Sequence, residues 1–332
     1  MQQWARFAIL GAMFVTAYLL ILAWQKDYGH AVTAPQQKAA AVIAHDVSAD
    51  LPNAQNAIAA SDVPQANVTA SPAPESSSAS QQLISVQTDL YHLWINPKGG
   101  DIVRIELLSH DQSKNGDQPF VMLENDAKRT YVAQSGLIGL NGPDSSRTGR
   151  PMYDVEKTTY TLADAKTIAS KDGKTAQVLT VPLVFKTPEG VEVIKTFTFK
   201  QGDYPITVKH QVVNRSAQNW QGQMFGQLKR DNSDDPGKSS QGIFTLGTFL
   251  GGAWGTPEAT YNKLKFSNFS DEKLSLEAKS AWVAMVQHYF VSAWIPGNLK
   301  LTQADGQPYA AKLESRQSTD KMNIIGFTSP VI

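Results

Sequence analysis

From Leu83 onward the apolar residues recur at every second position, and this alternation constrains the fold more than any other feature. "DYPITVKHQVV" sets Tyr204, Ile206, Val208, His210 and Val212 on one side of an extended chain. "VEVIKTFTFK" does the same for Val191, Val193, Phe197 and Phe199. "QVLTVPLVFK" aligns Leu179, Val181, Leu183 and Phe185, and "GDIVRIELL" aligns Val103, Ile105 and Leu107. A period of two predicts half-buried strands, because successive side chains of a strand point to opposite faces. Turn chemistry separates the runs: "NPKGGD" at 96–101, "KDGK" at 171–174, "TPEG" at 187–190 and "KQGD" at 200–203. Many short strands between Gly and Pro turns predict a mainly β domain, a large antiparallel sandwich or barrel. "AWVAMVQHYFVSAWIP" at 281–296 is less clear. Trp282, Met285, Val286 and Tyr289 fit a helical stripe, whereas Phe290, Ser292 and Trp294 alternate. The β-branched and aromatic bias and the Pro296 stop favour strand.

"FAILGAMFVTAYLLILAW", residues 7–24, is the one long apolar run. Eighteen helical residues span about 27 Å, close to the roughly 30 Å hydrocarbon core of a bilayer. Large apolar residues such as Phe7, Leu10, Phe14, Leu19 and Leu22 each favour insertion, and the run sums to roughly −3 to −5 kcal/mol. Trp4, Tyr18 and Trp24 suit the interfaces, and Arg6 and Lys26 bracket the span. The run exceeds the usual length of a signal-peptide core, so residues 1–26 are expected to be an uncleaved transmembrane anchor. Arg6 and the free amino group lie on its short side, and Lys26 is offset by Asp27. That balance favours a cytoplasmic N-terminus with the bulk of the chain outside.

Residues 27–82 are rich in Ala, Pro, Ser and Gln, with Tyr28 the only aromatic and Leu51 the only leucine. Such a segment buries too little apolar surface to offset chain entropy and is expected to be a disordered linker. A flexible chain of this length has a root-mean-square span of roughly 40 Å. The folded domain is therefore assigned to 83–332.

The 332 residues carry no formal net charge and no cysteine. A neutral chain offers no basic footprint for nucleic acid, and the lack of cysteine excludes disulfides, thiolate catalysis and cysteine-bound zinc. No G-x-S-x-G elbow, H-E-x-x-H pair or phosphate loop occurs. His92, His110, His210 and His288 are scattered, and His210 falls at an inward strand position as a core or boundary histidine. "DNSDDPG" at 231–237 fails as a calcium loop, because Pro236 replaces the sixth-position Gly and Gly242 the bidentate Glu. Nothing in the spacing brings Asp101, Asp154, Glu156 or Asp203 together. No catalytic residue, metal site or cofactor is expected, and the chain does not read as an enzyme. In "GTFLGGAWGTPEATYNKLKF" at 247–266, flexible Gly accompanies Phe249, Trp254, Tyr261 and Phe266. These rings either form an adaptable partner-contact surface or pack into the sandwich from a long hairpin.

Six stretches together carry a family resemblance: "LISVQTDLYHLWINPKGGDI" at 83–102, "YVAQSGLIGLNGPD" at 131–144, "RPMYDVEK" at 150–157, "FGQLK" at 225–229, "TFLGGAWGTPEATYNKLKF" at 248–266 and "WVAMVQHYFVSAWIP" at 282–296. In this order and spacing they resemble the YidC family of bacterial membrane protein insertases. The resemblance implies one inner-membrane helix with a cytoplasmic N-terminus, followed by a periplasmic twisted β-sandwich similar to galactose-mutarotase-like domains. It implies nascent integral membrane proteins, the lipid bilayer and the Sec translocon, including SecD and SecF, as partners. Family members continue into further membrane helices that form a polar groove with an intramembrane arginine. Those helices have no counterpart in these 332 residues, so the chain is expected to be the anchored docking part of an insertase, truncated at its C-terminus and inactive in insertion alone.

Two other functions are compatible with a tethered sandwich. One is carbohydrate binding, since Trp94, Trp220, Trp254, Trp282 and Trp294 offer flat rings to sugars. The other is a structural envelope protein that only recruits partners.

Overall fold

A computed structural model describes residues 18–20, 82–113, 116–146, 149–169, 175–236, 249–297 and 310–332. Tyr18, Leu19 and Leu20 are helical and exposed. The rest of the apolar run, with Phe7, Leu10, Phe14, Leu22 and Trp24, lies outside the described residues, as do 27–81. Among the described residues no helix is long and apolar enough to cross a membrane.

The domain is built from strands in three sheets. The first elements are β1 (Ile84–Gln87), β2 (Tyr91–Asn96), β3 (Asp101–Asp111), β4 (Pro119–Asn125), β5 (Thr130–Ile138), β6 (Asp154–Val155) and β7 (Thr159–Thr161). Then come β8 (Lys166–Ala169), β9 (Thr175–Lys186), β10 (Val191–Lys200), β11 (Thr207–Asn214) and β12 (Gln223–Arg230). The last are β13 (Gly251–Gly255), β14 (Asn262–Lys265), β15 (Ser275–Ala278), β16 (Trp282–Val286), β17 (Val291–Trp294), β18 (Ala311–Gln317) and β19 (Asn323–Thr328).

A ten-stranded sheet runs β15-β18-β19-β12-β5-β4-β3-β2-β1-β7. A five-stranded sheet runs β11-β10-β9-β6, with β8 also on β9, and a four-stranded sheet runs β14-β13-β16-β17. Pairing is antiparallel except between β1 and β7. The five-stranded sheet packs on one part of the large sheet, where Tyr91 of β2 meets Phe199 of β10 at 6.3 Å between ring centres. The four-stranded sheet packs on another, where Trp294 of β17 meets Phe327 of β19 at 6.3 Å and donates from Nε1 to Gln227 O at 3.0 Å. The architecture is the β-sandwich expected from the alternation.

The inward rows fall where the period of two puts them. Leu179, Val181 and Leu183 of β9, Val193, Phe197 and Phe199 of β10, and Val103, Ile105 and Leu107 of β3 are buried. In β11, Val208, His210 and Val212 form the half-buried row against exposed Thr207, Lys209 and Gln211. Tyr204 and Ile206 precede that strand. The 281–296 stretch is extended, as its composition favours, but forms two strands. β16 and β17 are a hairpin closed by Gln287 N donating to Phe290 O at 2.8 Å.

Candidate functional site

Lys195 and Arg150 lie together inside the sandwich, beside the buried carboxylates of Asp101 and Asp144. Lys195 occupies the inward row of β10 between Val193 and Phe197 and is fully buried. Its Nζ donates to Gly99 O at 3.0 Å and Ser135 O at 2.8 Å. Arg150 reaches the same place from the loop before β6. That loop is held by Gly99 N donating to Pro151 O at 2.8 Å and Tyr153 N donating to Pro97 O at 3.0 Å. Arg150 Nη2 donates to Gly99 O at 3.1 Å and Ser135 O at 2.8 Å, its Nε donates to Asp144 Oδ1 at 2.7 Å, and its Nη1 bonds Asp101 Oδ2.

The Gly-Gly turn permits this approach. Gly99 and Gly100 take φ of +77° and +64°, and a Cβ on Gly99 would lie 2.5 Å from Arg150 Cζ. From Asp101 a polar seam continues across the large sheet. Gln134 Nε2 donates to Asp101 at 2.9 Å, Gln227 Nε2 to Gln134 Oε1 at 2.9 Å, and Arg316 Nη2 to Gln227 Oε1 at 2.8 Å.

Burial draws Arg150 toward the neutral form, but Asp101 and Asp144 outweigh it and hold the guanidinium charged. Burial pushes the Lys195 ammonium down to about 7; Asp101 opposes the fall and Arg150 adds to it. His210 is the cross-strand neighbour of Lys195. Burial, with Lys195 and Arg150, holds its imidazole well below 6.5, and neither ring nitrogen has a hydrogen-bond partner among the described residues. Every acceptor that Arg150 and Lys195 reach is a main-chain carbonyl or a carboxylate of the fold. The chemistry of this cluster is to tie the five-stranded sheet to the large one.

The other charge-bearing motifs also serve the fold. In the "DNSDDPG" turn, Asp235 Oδ1 accepts from Arg230 Nη2 at 2.7 Å, Gln287 Nε2 at 2.7 Å and Arg129 Nη2 at 3.4 Å. Asp231 accepts from Thr130 N at 2.8 Å and Ser233 N at 3.0 Å. Both carboxylates are thereby committed to protein donors. On the outer face of β1–β3, Ser85 Oγ lies 2.7 Å from His92 Nε2, and Glu106 stands across from His92. Glu106 Oε1 instead accepts from Arg104 Nε at 2.9 Å, so the carboxylate orients a guanidinium and not the imidazole.

The tryptophans do not converge. Trp94 stacks on His92 at 3.8 Å with Arg104 at 5.7 Å. Trp220 donates to Asn141 O at 3.1 Å. Trp254 packs against the core.

The four aromatic residues of 247–266 divide between two environments. Trp254 pairs with Val283, and Gly252 with Met285; this row faces the large sheet, where a Cβ on Gly252 would meet Phe269 and Ile325. Phe266 packs on Phe269 at 5.6 Å and beneath Arg230 at 5.8 Å. Phe249 and Tyr261 lie on the opposite, outer face of the four-stranded sheet. There Lys263 Nζ sits 5.0 Å from the Phe249 ring and 5.9 Å from the Tyr261 ring. Tyr261 stacks on Trp282 at 6.0 Å and is 52% exposed. Phe249 and Tyr261, with Trp282 stacked on Tyr261, thus flank Lys263 on this outer face, aromatic rings beside a cation.

Sequence reasoning missed Lys195, Arg150 and Asp101 as buried groups. A lysine within an otherwise apolar inward row was the available signal.

Comparison with known proteins gives the chain its family. Residues 83–332 match the model of the YidC periplasmic domain. A membrane protein insertase YidC from Pseudomonas putida (strain GB-1) is 38% identical over 329 residues, which cover 98% of this chain and 55% of that protein. One from Marinomonas sp. (strain MWYL1) is 38% identical over 328 residues, with 97% and 54% covered. One from Azotobacter vinelandii is 39% identical over 311 residues, with 91% and 53% covered. The chain thus spans about half the length of these relatives. Through both the match over 83–332 and these relatives, the chain belongs to the YidC family.

Proposed function

We propose that this chain is a membrane-tethered periplasmic docking module that serves the insertion of membrane proteins. The observation that carries this reading is the match of residues 83–332 to the YidC periplasmic domain, in relatives named membrane protein insertases. In this reading residues 1–26 cross the inner membrane once, with the N-terminus in the cytoplasm, and residues 27–82 form the tether. The domain of 83–332 then moves over the periplasmic surface within reach of nascent membrane proteins and of Sec translocon subunits, SecD and SecF among them. It works by contact and not by catalysis, which accords with ionic groups committed to holding the fold. In this reading the 332 residues contribute docking and do not by themselves carry out insertion.

The test is affinity purification of the full chain from cross-linked cells during a pulse of protein synthesis. Recovery of newly made membrane proteins or Sec subunits supports the reading. Recovery of cell-wall enzymes alone favours a structural envelope role. Saturable sugar binding, followed by tryptophan fluorescence, favours a carbohydrate-binding role. Reconstitution in liposomes checks the second part: insertion of a small coat-type protein by this chain alone would contradict it.

A further inference from the structure

The four-stranded sheet has two unlike edges. At one, β14 carries the exposed Lys263 and Lys265. Charges of this kind keep edge strands from pairing with other chains. The other edge, β17, continues from Tyr289 to Ile295 without a charged residue. Among the described edge strands, β8 carries Lys166, β11 Lys209, β15 Glu277 and β6 Asp154; only β17 and the three-residue β7 have no charge.

The hairpin register shows which groups β17 presents. Gln287 and Phe290 form its closing bonded pair. Bonded and non-bonded pairs alternate along an antiparallel ladder. With Met285 opposite Ser292 and Val283 opposite Trp294, those pairs are bonded. Val291 and Ala293, opposite Val286 and Ala284, occupy the non-bonded positions. Their N–H and C=O groups therefore point away from β16, and those of Ile295 follow in the same register. No main-chain bond to these three residues exists among the described residues. Their side chains share the outer face with Tyr261 and Trp282, and Val291 and Ile295 are 55% and 69% exposed. Among the described residues the edge thus offers a row of free main-chain donors and acceptors flanked by an uncharged row, Tyr289–Val291–Ala293–Ile295.

We propose that β17 receives an extended, uncharged segment of a client membrane protein as an added antiparallel or parallel strand. Main-chain bonds at Val291, Ala293 and Ile295 hold the segment without regard to sequence, and the outer apolar row selects for alternating apolar side chains. This occupant fits because the edge carries no charge to pair with a polar partner, and because unfolded membrane proteins expose uncharged apolar segments. The inference deepens the docking reading and rests on it.

The test uses the full chain and a fluorescein-labelled ten-residue peptide of alternating valine and threonine. Anisotropy should show saturable binding, with amide exchange slowed at Val291, Ala293 and Ile295. Ser292 and Trp294, already in the ladder, should be unchanged. Ala293→Pro removes one outward N–H while leaving the β16 ladder intact, and Val291→Lys adds a blocking charge. Each should weaken the peptide about tenfold, a change of roughly 1.4 kcal/mol, with the thermal midpoint kept.

Absence of peptide binding, or binding indifferent to both variants, overturns the proposal. So does a dimer of the chain that Ala293→Pro dissolves, since the occupant is then a second copy. If client capture in cells persists unchanged in both variants, the edge assignment falls and the docking reading stands. If the unmodified chain captures no client, the docking reading itself falls.

Discussion

Lys195 and Arg150 donate to the same two carbonyl oxygens, Gly99 O and Ser135 O, inside the sandwich. Two cations meeting at shared acceptors repel, and Asp101 and Asp144 supply the compensating charge, in direct ion pairs with Arg150 and only through space for Lys195. Arg150 is therefore the paired member and Lys195 the dispensable one. The two substitutions should separate them.

Lys195→Met should leave both carbonyls bonded to Arg150 and remove a buried ammonium. The Lys195 pKa is depressed from 10.5 to about 7 on folding. The unfolded chain thus binds more protons between these values. Stability from this group is fully present above 10.5, declines as pH falls toward 7, and is gone below it. Urea unfolding should show the parent more stable at pH 9 than at pH 7 by roughly 2–3 kcal/mol from this group, at about 1.4 kcal/mol per unit. Lys195→Met should flatten that dependence. An unchanged pH profile would contradict the assignment.

Arg150→Met strands two buried carboxylates, Asp101 and Asp144. Removing one member of a buried ion pair costs about 3–5 kcal/mol. This variant should lose that much in denaturant unfolding, well beyond any change in Lys195→Met.

Asp235→Ala removes the carboxylate shared by Arg129 and Arg230, whose side chains are 5% and 0% exposed. Each arginine keeps main-chain acceptors, Val121 O and Met122 O for Arg129 and Ser233 O for Arg230. The loss should still reach about 3 kcal/mol, because two buried guanidiniums remain without a counter-charge. Added calcium should not alter the thermal midpoint of the parent.

His210 should make the domain acid-sensitive. Its folded pKa lies well below 6.5, so the unfolded chain takes up a proton first as pH falls. Stability from the neutral imidazole is present above 6.5 and is lost progressively below it. His210→Leu should flatten the part of the acid-unfolding curve that begins near pH 6.5.

Much of this fold was legible because a strand writes its buried face at a period of two. β3, β9 and β10 each place the expected residues inside. The charged interior was not legible, because Lys195 interrupts an apolar row only once, and its partners come from Gly99, Ser135 and Arg150 on distant segments. Local periodicity carries no information about such long-range contacts. The 281–296 stretch read as one strand because its turn, His288–Tyr289, contains none of the Gly, Asn or Asp that mark tight hairpins. Ring content left all four aromatics of 247–266 open between a contact surface and sandwich packing; only the pairing of β13 with β16 and the packing around Phe269 send Trp254 and Phe266 inward.

The central claim is that the domain docks membrane protein clients, and the most direct measurement is photo-cross-linking in cells. A photoreactive residue at Tyr261, on the outer face of the four-stranded sheet, is compared with one at Ile168, exposed on the five-stranded sheet. The account predicts adducts to newly synthesised membrane proteins from Tyr261, and far fewer from Ile168. Equal yields from both positions, or none from either, would contradict it.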